Sequence, residues 1–145
     1  MKLFTIGFTQ KSAEEFFTLL RNAGVKRVLD IRLNNKSQLA GFSKSEDLEF
    51  FLRELGGIGY RHVLEMAPTQ PLLDKVRKGK GGWDSFEKQF LALMKQRKVE
   101  KVLDEKVLSD ACLLCSEHEP DHCHRRLVAE YLQRELGGIT IEHLL

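Results

Sequence analysis

A chain of 145 residues with 42% hydrophobic and 30% charged residues suits one domain with its own core, and its ordinary composition excludes disorder, a collagen-like repeat and a disulfide scaffold. A formal net charge of +2 does not by itself imply nucleic-acid binding. No apolar run approaches the roughly 18 residues of a membrane span. The first residues, Met1 to Gly7, lack the apolar stretch and cleavage site of a signal peptide. The expectation is therefore a cytoplasmic protein, away from membranes, whose three cysteines stay reduced. Charge is uneven: residues 1–74 carry a net of +1, residues 75–106 a net of +5 and residues 107–145 a net of −4. The last block holds four of the five histidines and all three cysteines, so chemistry is expected to concentrate there.

In chain order, Leu3, Phe4 and Ile6 predict a buried strand ending at Gly7. Ser12 and Glu15 form a capping-box pattern that opens a helix with Phe16, Phe17, Leu19, Leu20 and Ala23 on its apolar face, closed by Gly24. Val25, Val28, Leu29 and Ile31 predict a second strand. A polar loop from Leu33 to Phe42 leads to a second capping-box pattern, Ser43 with Glu46. The helix that follows carries Leu48, Phe51, Leu52 and Leu55 and stops at Gly56-Gly57. Ile58, Tyr60, His62 and Leu64 alternate as a third strand, and a short helix bearing Leu72, Leu73 and Val76 follows Pro68 and Pro71. Residues 78–83 read as a mobile loop, and Asp84 with Glu87 caps a helix carrying Phe86, Phe90, Leu93 and Met94. Val99, Val102, Leu103 and Val107 extend or follow that helix at the same spacing. Ala111 to Cys115 is a fourth strand. Asp121 begins the last helix, with Leu127, Val128, Tyr131, Leu132 and Leu136 on its buried side. Beyond Gly137-Gly138, Ile139, Ile141 and His143 alternate as a last strand.

Alternating strands and helices predict a single α/β domain over residues 1–145, with a mainly parallel sheet of about five strands and helices on both faces. Ligands of such sheets bind beyond the carboxyl ends of the strands. Three segments fall at such ends: Gly7-Phe8-Thr9, Asp30-Ile31-Arg32 and Cys115-Ser116-Glu117.

Cys112 and Cys115 have C-x-x-C spacing, but on a strand they point to opposite faces and lie ~10 Å apart, so Cys112 reads as a buried small hydrophobe. Cys115 at a strand end and Cys123 in the first turn of the last helix are candidate nucleophiles, and a helix start favours a thiolate at Cys123. Two thiols packed beneath a helix end would give the same pattern. Cys115, His118, His122, Cys123 and His124 also offer enough ligands for a metal ion, although their spacing matches no common zinc motif. Arg32 suits bidentate binding of an anion, and Asp30 either shares that site or pairs with Arg125 to lock the last helix. Thr9 beside Gly7 suits an anion nest or a plain helix entry. Lys75, Arg77, Lys78 and Lys80 with Trp83 suit nucleic-acid backbone contact and base stacking, or form a solvated loop whose Trp83 anchors the next helix.

These segments resemble a family catalogued as domain of unknown function 488. Thr5-Ile6-Gly7-Phe8-Thr9 is similar to its T-I-G-H-S, and Asp30-Ile31-Arg32 with Ser37 to its D-V-R-x-x-P-x-S. Tyr60 and His62 fit its G-I-x-Y-x-H strand. Leu114-Cys115-Ser116-Glu117 and Cys123-His124-Arg125-Arg126 fit its L-C-A-E and C-H-R elements. The chain departs at Phe8 for His, Thr9 for Ser, Asn35 for Pro and Glu65-Met66 for Gly-Gly. The resemblance implies an α/β fold, brings no established reaction or cofactor, and carries over Asp30, Arg32, Cys115, Glu117, Cys123, His124 and Arg125 as candidate site residues. The layout also resembles rhodanese-like domains, but Glu117, Glu119 and Asp121 would repel an anion in the loop where those domains bind one, unless Arg32 and Arg125 offset them.

The leading expectation is a small enzyme, a cysteine-dependent transferase or hydrolase without a cofactor, acting on an anionic substrate. Cys115 or Cys123 is the nucleophile, His124 the base, and Thr9, Asp30, Arg32, Glu117 and Arg125 bind substrate. The alternatives are a nucleic-acid-binding or accessory module using the basic segment 75–83, and a metal-binding or structural protein. Cys115, Cys123, Asp30, Arg32 and Thr9 are expected to line one concavity, with Cys123 the more reactive thiol.

Overall fold

The fold comes from a computed structural model that describes residues 1–36, 41–77, 82–117 and 120–145. Five strands form one all-parallel sheet: β1 (Lys2–Gly7), β2 (Arg27–Asp30), β3 (Gly59–His62), β4 (Ala111–Cys115) and β5 (Thr140–Leu144), in the order β3-β2-β4-β1-β5. β4 is the central strand, and all five of its residues are buried. A strand covered on both faces loses the polar half of its alternation, which is why Ala111 to Cys115 reads as an unbroken apolar run.

Six helices connect the strands: α1 (Ala13–Ala23), α2 (Ser45–Gly56), α3 (Gln70–Arg77), α4 (Gly82–Arg97), α5 (Glu105–Leu108) and α6 (His124–Leu136). Alternation along the strands divides the core in two. Phe4, Ile6, Val28, Cys112 and Leu114 pack against Phe16, Phe17 and Leu20 of α1 and Leu48 and Leu52 of α2. Leu3, Leu29, Ala111 and Leu113 pack against Phe86, Phe90 and Met94 of α4 and Leu127, Val128 and Leu132 of α6. The expected parallel sheet with helices on both faces is thus present. Among the described residues, no helix is long and apolar enough to cross a membrane.

The first helix forms as its sequence dictates. Ser12 caps α1 by accepting from the Glu15 amide, the Glu15 carboxylate accepts in return from the Ser12 amide, and Gly24 closes the helix at φ 78°. The second capping pattern does not form. Ser43 is fully buried in a 3₁₀ turn (Gly41–Ser43), and its carbonyl accepts from Arg32 at 2.7 Å. Lys44 then becomes the N-cap of α2, without a side-chain cap. Leu64 leaves the third strand for a 3₁₀ turn (Leu64–Met66) and is half exposed. Trp83 and Asp84, expected in a loop and at a cap, lie in the first turn of α4; residues 78–81 lie outside the described residues. Lys98, at φ 53°, breaks the helical run, so Val99 falls in a 3₁₀ turn (Val99–Lys101), Val102 and Leu103 in the turn after it, and Val107 in α5. The last helix starts at His124 instead of Asp121, because residues 120–123 are held in a turn closed by the Cys123 amide on the Pro120 carbonyl.

β1 leads to α1 on one face of the sheet, while its neighbour β4 leads to α6 on the other. Connections that part in this way open a crevice at the carboxyl ends of adjacent strands. At this end Gly7 is indispensable: a Cβ there would lie 1.6 Å from the Glu117 carbonyl oxygen and 2.9 Å from Nη1 of Arg125. Gly7→Ala is therefore expected to destabilise the protein by about 3 kcal/mol, the upper end for overpacking, because a backbone carbonyl yields less readily than a side-chain tip. Urea unfolding measures this, and a loss below about 1 kcal/mol would refute the close approach.

The edge strand carries a pH-sensitive contact. Thr5 accepts from Nε of Arg125 at 3.2 Å and shares a 2.6 Å hydrogen bond with Nδ1 of His143. Burial, and then the Arg125 charge, hold His143 below its ordinary value of 6.5. A base whose folded value is depressed contributes stability above its unfolded value and loses it as pH falls through the folded one. Thermal unfolding between about pH 7 and pH 5 should show this loss. The slope over that window should become shallower in His143→Asn; an unchanged slope would refute the assignment.

Candidate active site

Cys115 ends β4, and its side chain faces the α6 side of the sheet, opposite Cys112. Cys123 is the N-cap of α6 and His124 its first residue. The start of α6 lies beside the end of β4, which brings both sulfurs and the imidazole together: Cys115 Sγ, Cys123 Sγ and a His124 ring nitrogen lie within 4.8 Å of one another. All three residues are buried, at 5%, 2% and 9% exposure, and all three line a cavity of about 180 Å³.

The tautomer of His124 follows from its partners. Nε2 lies 2.7 Å from the Ile31 carbonyl, which can only accept, so Nε2 carries a proton. In the neutral ring Nδ1 then presents its lone pair to Cys115 Sγ, 3.3 Å away. Proton transfer from sulfur to Nδ1 leaves a thiolate against an imidazolium whose two N–H groups are both satisfied. Burial alone would raise the Cys115 thiol. The hydrogen bond from Cys123, the charge of Arg125 and the amides of Ser116 and Glu117 outweigh burial and hold Cys115 below its ordinary value. Cys123 moves the other way: burial, its hydrogen bond to Cys115 and the charge there push it well above the ordinary value. Burial also pushes Cys112 upward. The electrostatics thus favour ionisation at Cys115 over Cys123, against the expectation from the helix start, because burial and the neighbouring sulfur act against a charge on Cys123.

Arg32 forms the second wall. Its Nε and Nη2 donate to the two Asp30 carboxylate oxygens at 2.8 Å each, and Nη2 also donates to Ser43. Tyr60 donates to Asp30 at 2.6 Å, Asn35 donates to Tyr60, and Nε2 of His62 donates to the Arg32 carbonyl at 2.7 Å. The guanidinium lies over the Phe8 ring at 5.2 Å. Arg32 is 3% exposed, and its Nη1 is buried with no hydrogen-bond partner among the described residues. Asp30 therefore does not pair with Arg125. It orients Arg32, while Arg125 is fully buried, donating to Thr5 and to the Glu117 carbonyl.

The expected concavity is assembled in part. Arg32, Cys115, Glu117, Cys123 and His124 line it; Asp30 lies beneath Arg32, and Thr9 is absent from the lining. The Thr9 hydroxyl donates instead to the Ser116 carbonyl at 2.7 Å, which ties the end of β1 to the Cys115 loop. Tyr60, His62 and Asn35 were not foreseen as supports of Arg32. Their signal was the alternation of Tyr60 and His62 on a strand that pairs His62 with Asp30.

Of the metal set expected from sequence, His118 lies outside the described residues and His122 stands apart, its ring 5.1 Å from Trp83. The metal-competent group among the described residues is instead Cys115, Cys123 and His124. Three such donors would hold zinc with one open position, but the Arg125 charge and the start of α6 make the local potential positive, which favours a thiolate over a cation. Trp83 stacks on Phe86 at 5.0 Å and lines the cavity. Lys75 is exposed on α3, while Lys78, Lys80 and the side chain of Arg77 lie outside the described residues.

Comparison with curated proteins and with solved structures returns no match. The profile of the family described as Domain of unknown function DUF488 matches residues 12–132, most of the chain and all the cavity-lining residues named above. With the Cys115 and Cys123-His124-Arg125 elements inside that match, the chain belongs to the DUF488 family.

Proposed function

We propose that this protein is a thiol-dependent enzyme of transferase or hydrolase type that acts on a small substrate bearing an anionic group, with Cys115 as nucleophile and His124 as its proton acceptor. The observation that carries this reading is the 3.3 Å contact between Cys115 Sγ and the unprotonated face of an imidazole fixed by the Ile31 carbonyl, at the wall of a cavity that Arg32 shares. Nucleophile, base and orienting group are thereby in hydrogen-bond reach of one another. Arg32, which lines the cavity, supplies the anion contact, and its Nη1 has no hydrogen-bond partner among the described residues. At about 180 Å³ the cavity is below the range of pockets for drug-sized ligands, about 300–1,000 Å³, and selects a small reacting group.

Alkylation with iodoacetate and iodoacetamide across pH, followed by peptide mapping, tests the reading. Cys115 should react first, with a pH midpoint below that of a free thiol, and Cys112 should stay unmodified. The ratio of iodoacetate to iodoacetamide rates should exceed that of free cysteine by roughly tenfold, the equivalent of ~1.4 kcal/mol from one partly screened positive charge. Modification of Cys123 before Cys115 overturns the assignment. So does zinc retained stoichiometrically through purification, since coordination would consume the nucleophile.

A further inference from the structure

A nucleophile that only forms and hydrolyses a covalent adduct needs one thiol, yet two share this cavity wall. Cys115 Sγ and Cys123 Sγ lie within 4.8 Å of each other and of the same imidazole nitrogen. They come from separately placed pieces of backbone, the end of β4 and the start of α6. The third cysteine, Cys112, is buried on the opposite face of the sheet. A second thiol in contact with the first is useful when the adduct on the first sulfur can be displaced by another sulfur. An oxygen adduct meets that requirement, and a small hydroperoxide fits the cavity.

Building on Cys115 as the nucleophile, we propose a further activity beside that transfer or hydrolysis: Cys115 and Cys123 act as an attacking and a resolving thiol that reduce small hydroperoxides at the expense of a Cys115–Cys123 disulfide. In the first step the Cys115 thiolate attacks the terminal peroxide oxygen. A sulfur–oxygen bond forms, the oxygen–oxygen bond breaks, and its electron pair leaves on the alkoxide. Arg32, which lines the same cavity, sets its guanidinium charge beside that developing negative charge. The alkoxide takes the proton that His124 received from Cys115, giving an alcohol and a sulfenic acid. In the second step Cys123 gives its thiol proton to Nδ1 of His124 and attacks the Cys115 sulfur. The sulfur–sulfur bond forms, the sulfur–oxygen bond breaks, and the departing hydroxide takes the proton to become water. One hydroperoxide and two thiols thus yield one alcohol, one water and one disulfide, and a dithiol reductant restores the pair. The proton inventory closes on the one imidazole, 3.3 Å from Cys115 Sγ and within 4.8 Å of Cys123 Sγ.

The test uses the full, reduced chain with one equivalent of hydrogen peroxide. Titratable thiols should fall from three to one, peptide mapping should join Cys115 to Cys123, and a dithiol should restore all three. In Cys123→Ser, Cys115 should halt at a sulfenic acid that a cyclic diketone traps, and in Cys115→Ser neither product should form. Should Cys123→Ser fail to fold, the wild-type thiol count and mapping decide alone. Oxidised Cys115 beside a free Cys123 in the wild-type chain overturns the resolving role and leaves the nucleophile reading intact. A Cys115 inert to both iodoacetate and peroxide overturns both.

Discussion

Asp30→Ala should cost the protein about 3–5 kcal/mol of stability, among the largest effects of any single substitution in this fold. Asp30 is fully buried and accepts four hydrogen bonds: from Nε and Nη2 of Arg32, from the Arg32 amide at 3.2 Å and from the Tyr60 hydroxyl. Removing the carboxylate leaves a guanidinium buried without a counter-charge and a phenol without its acceptor. Burial, and then the Asp30 carboxylate, push the Tyr60 hydroxyl upward, so this phenol remains a donor throughout the working range of pH. The double variant Asp30→Leu with Arg32→Met should recover much of the loss, because a buried pair replaced by apolar groups escapes its desolvation cost. Denaturant unfolding of the three proteins measures this. A loss below about 1 kcal/mol in Asp30→Ala would mean that Arg32 finds another partner, and the picture of a fixed guanidinium would fail.

The limits of the sequence are clearest at this pair. Two residues apart at a strand end, Asp30 and Arg32 were legible as site candidates, but the choice between an Asp30–Arg32 and an Asp30–Arg125 pair depends on tertiary placement that no local pattern encodes. The same pair explains the failed cap at Ser43. A capping box is worth roughly 1 kcal/mol, less than satisfying a buried guanidinium, so Arg32 takes the Ser43 carbonyl and the helix starts at Ser45. Where nothing competes, local chemistry is decisive: Ser12 and Glu15 sit exposed and their capping box forms as written. Strand alternation likewise separates Cys112 from Cys115 on opposite faces. Cys115, Cys123 and His124 were recognisable as a cluster, but the ionisation order of the thiols was not. It follows from burial, from the proximity of the two sulfurs and from Arg125, whose own position requires the bare backbone of Gly7.

Replacing His124 with glutamine should move the midpoint of Cys115 alkylation upward by about 1–3 on the pH scale, the effect of losing an opposite charge in contact. The glutamine amide would keep a donor for the Ile31 carbonyl, which His124 now supplies at 2.7 Å, while removing the proton acceptor that lies 3.3 Å from Cys115 Sγ. The change therefore separates the imidazole's chemistry from its packing. At a pH below both midpoints, a midpoint one unit higher lowers the thiolate fraction by up to about tenfold, although the more basic thiolate that remains is the better nucleophile, so the midpoint is a cleaner readout than the rate at one pH. Arg125 and the amides of Ser116 and Glu117 still act on the sulfur in His124→Gln, so the midpoint should rise toward the value of a free thiol without passing that of a fully desolvated one. Alkylation profiles of the two proteins, each checked for an unchanged unfolding midpoint, decide the matter. If the profiles superimpose, the imidazole is a packing group and Cys115 owes its ionisation to Arg125 and the backbone; if they separate as expected, Cys115 and His124 form one proton-sharing unit.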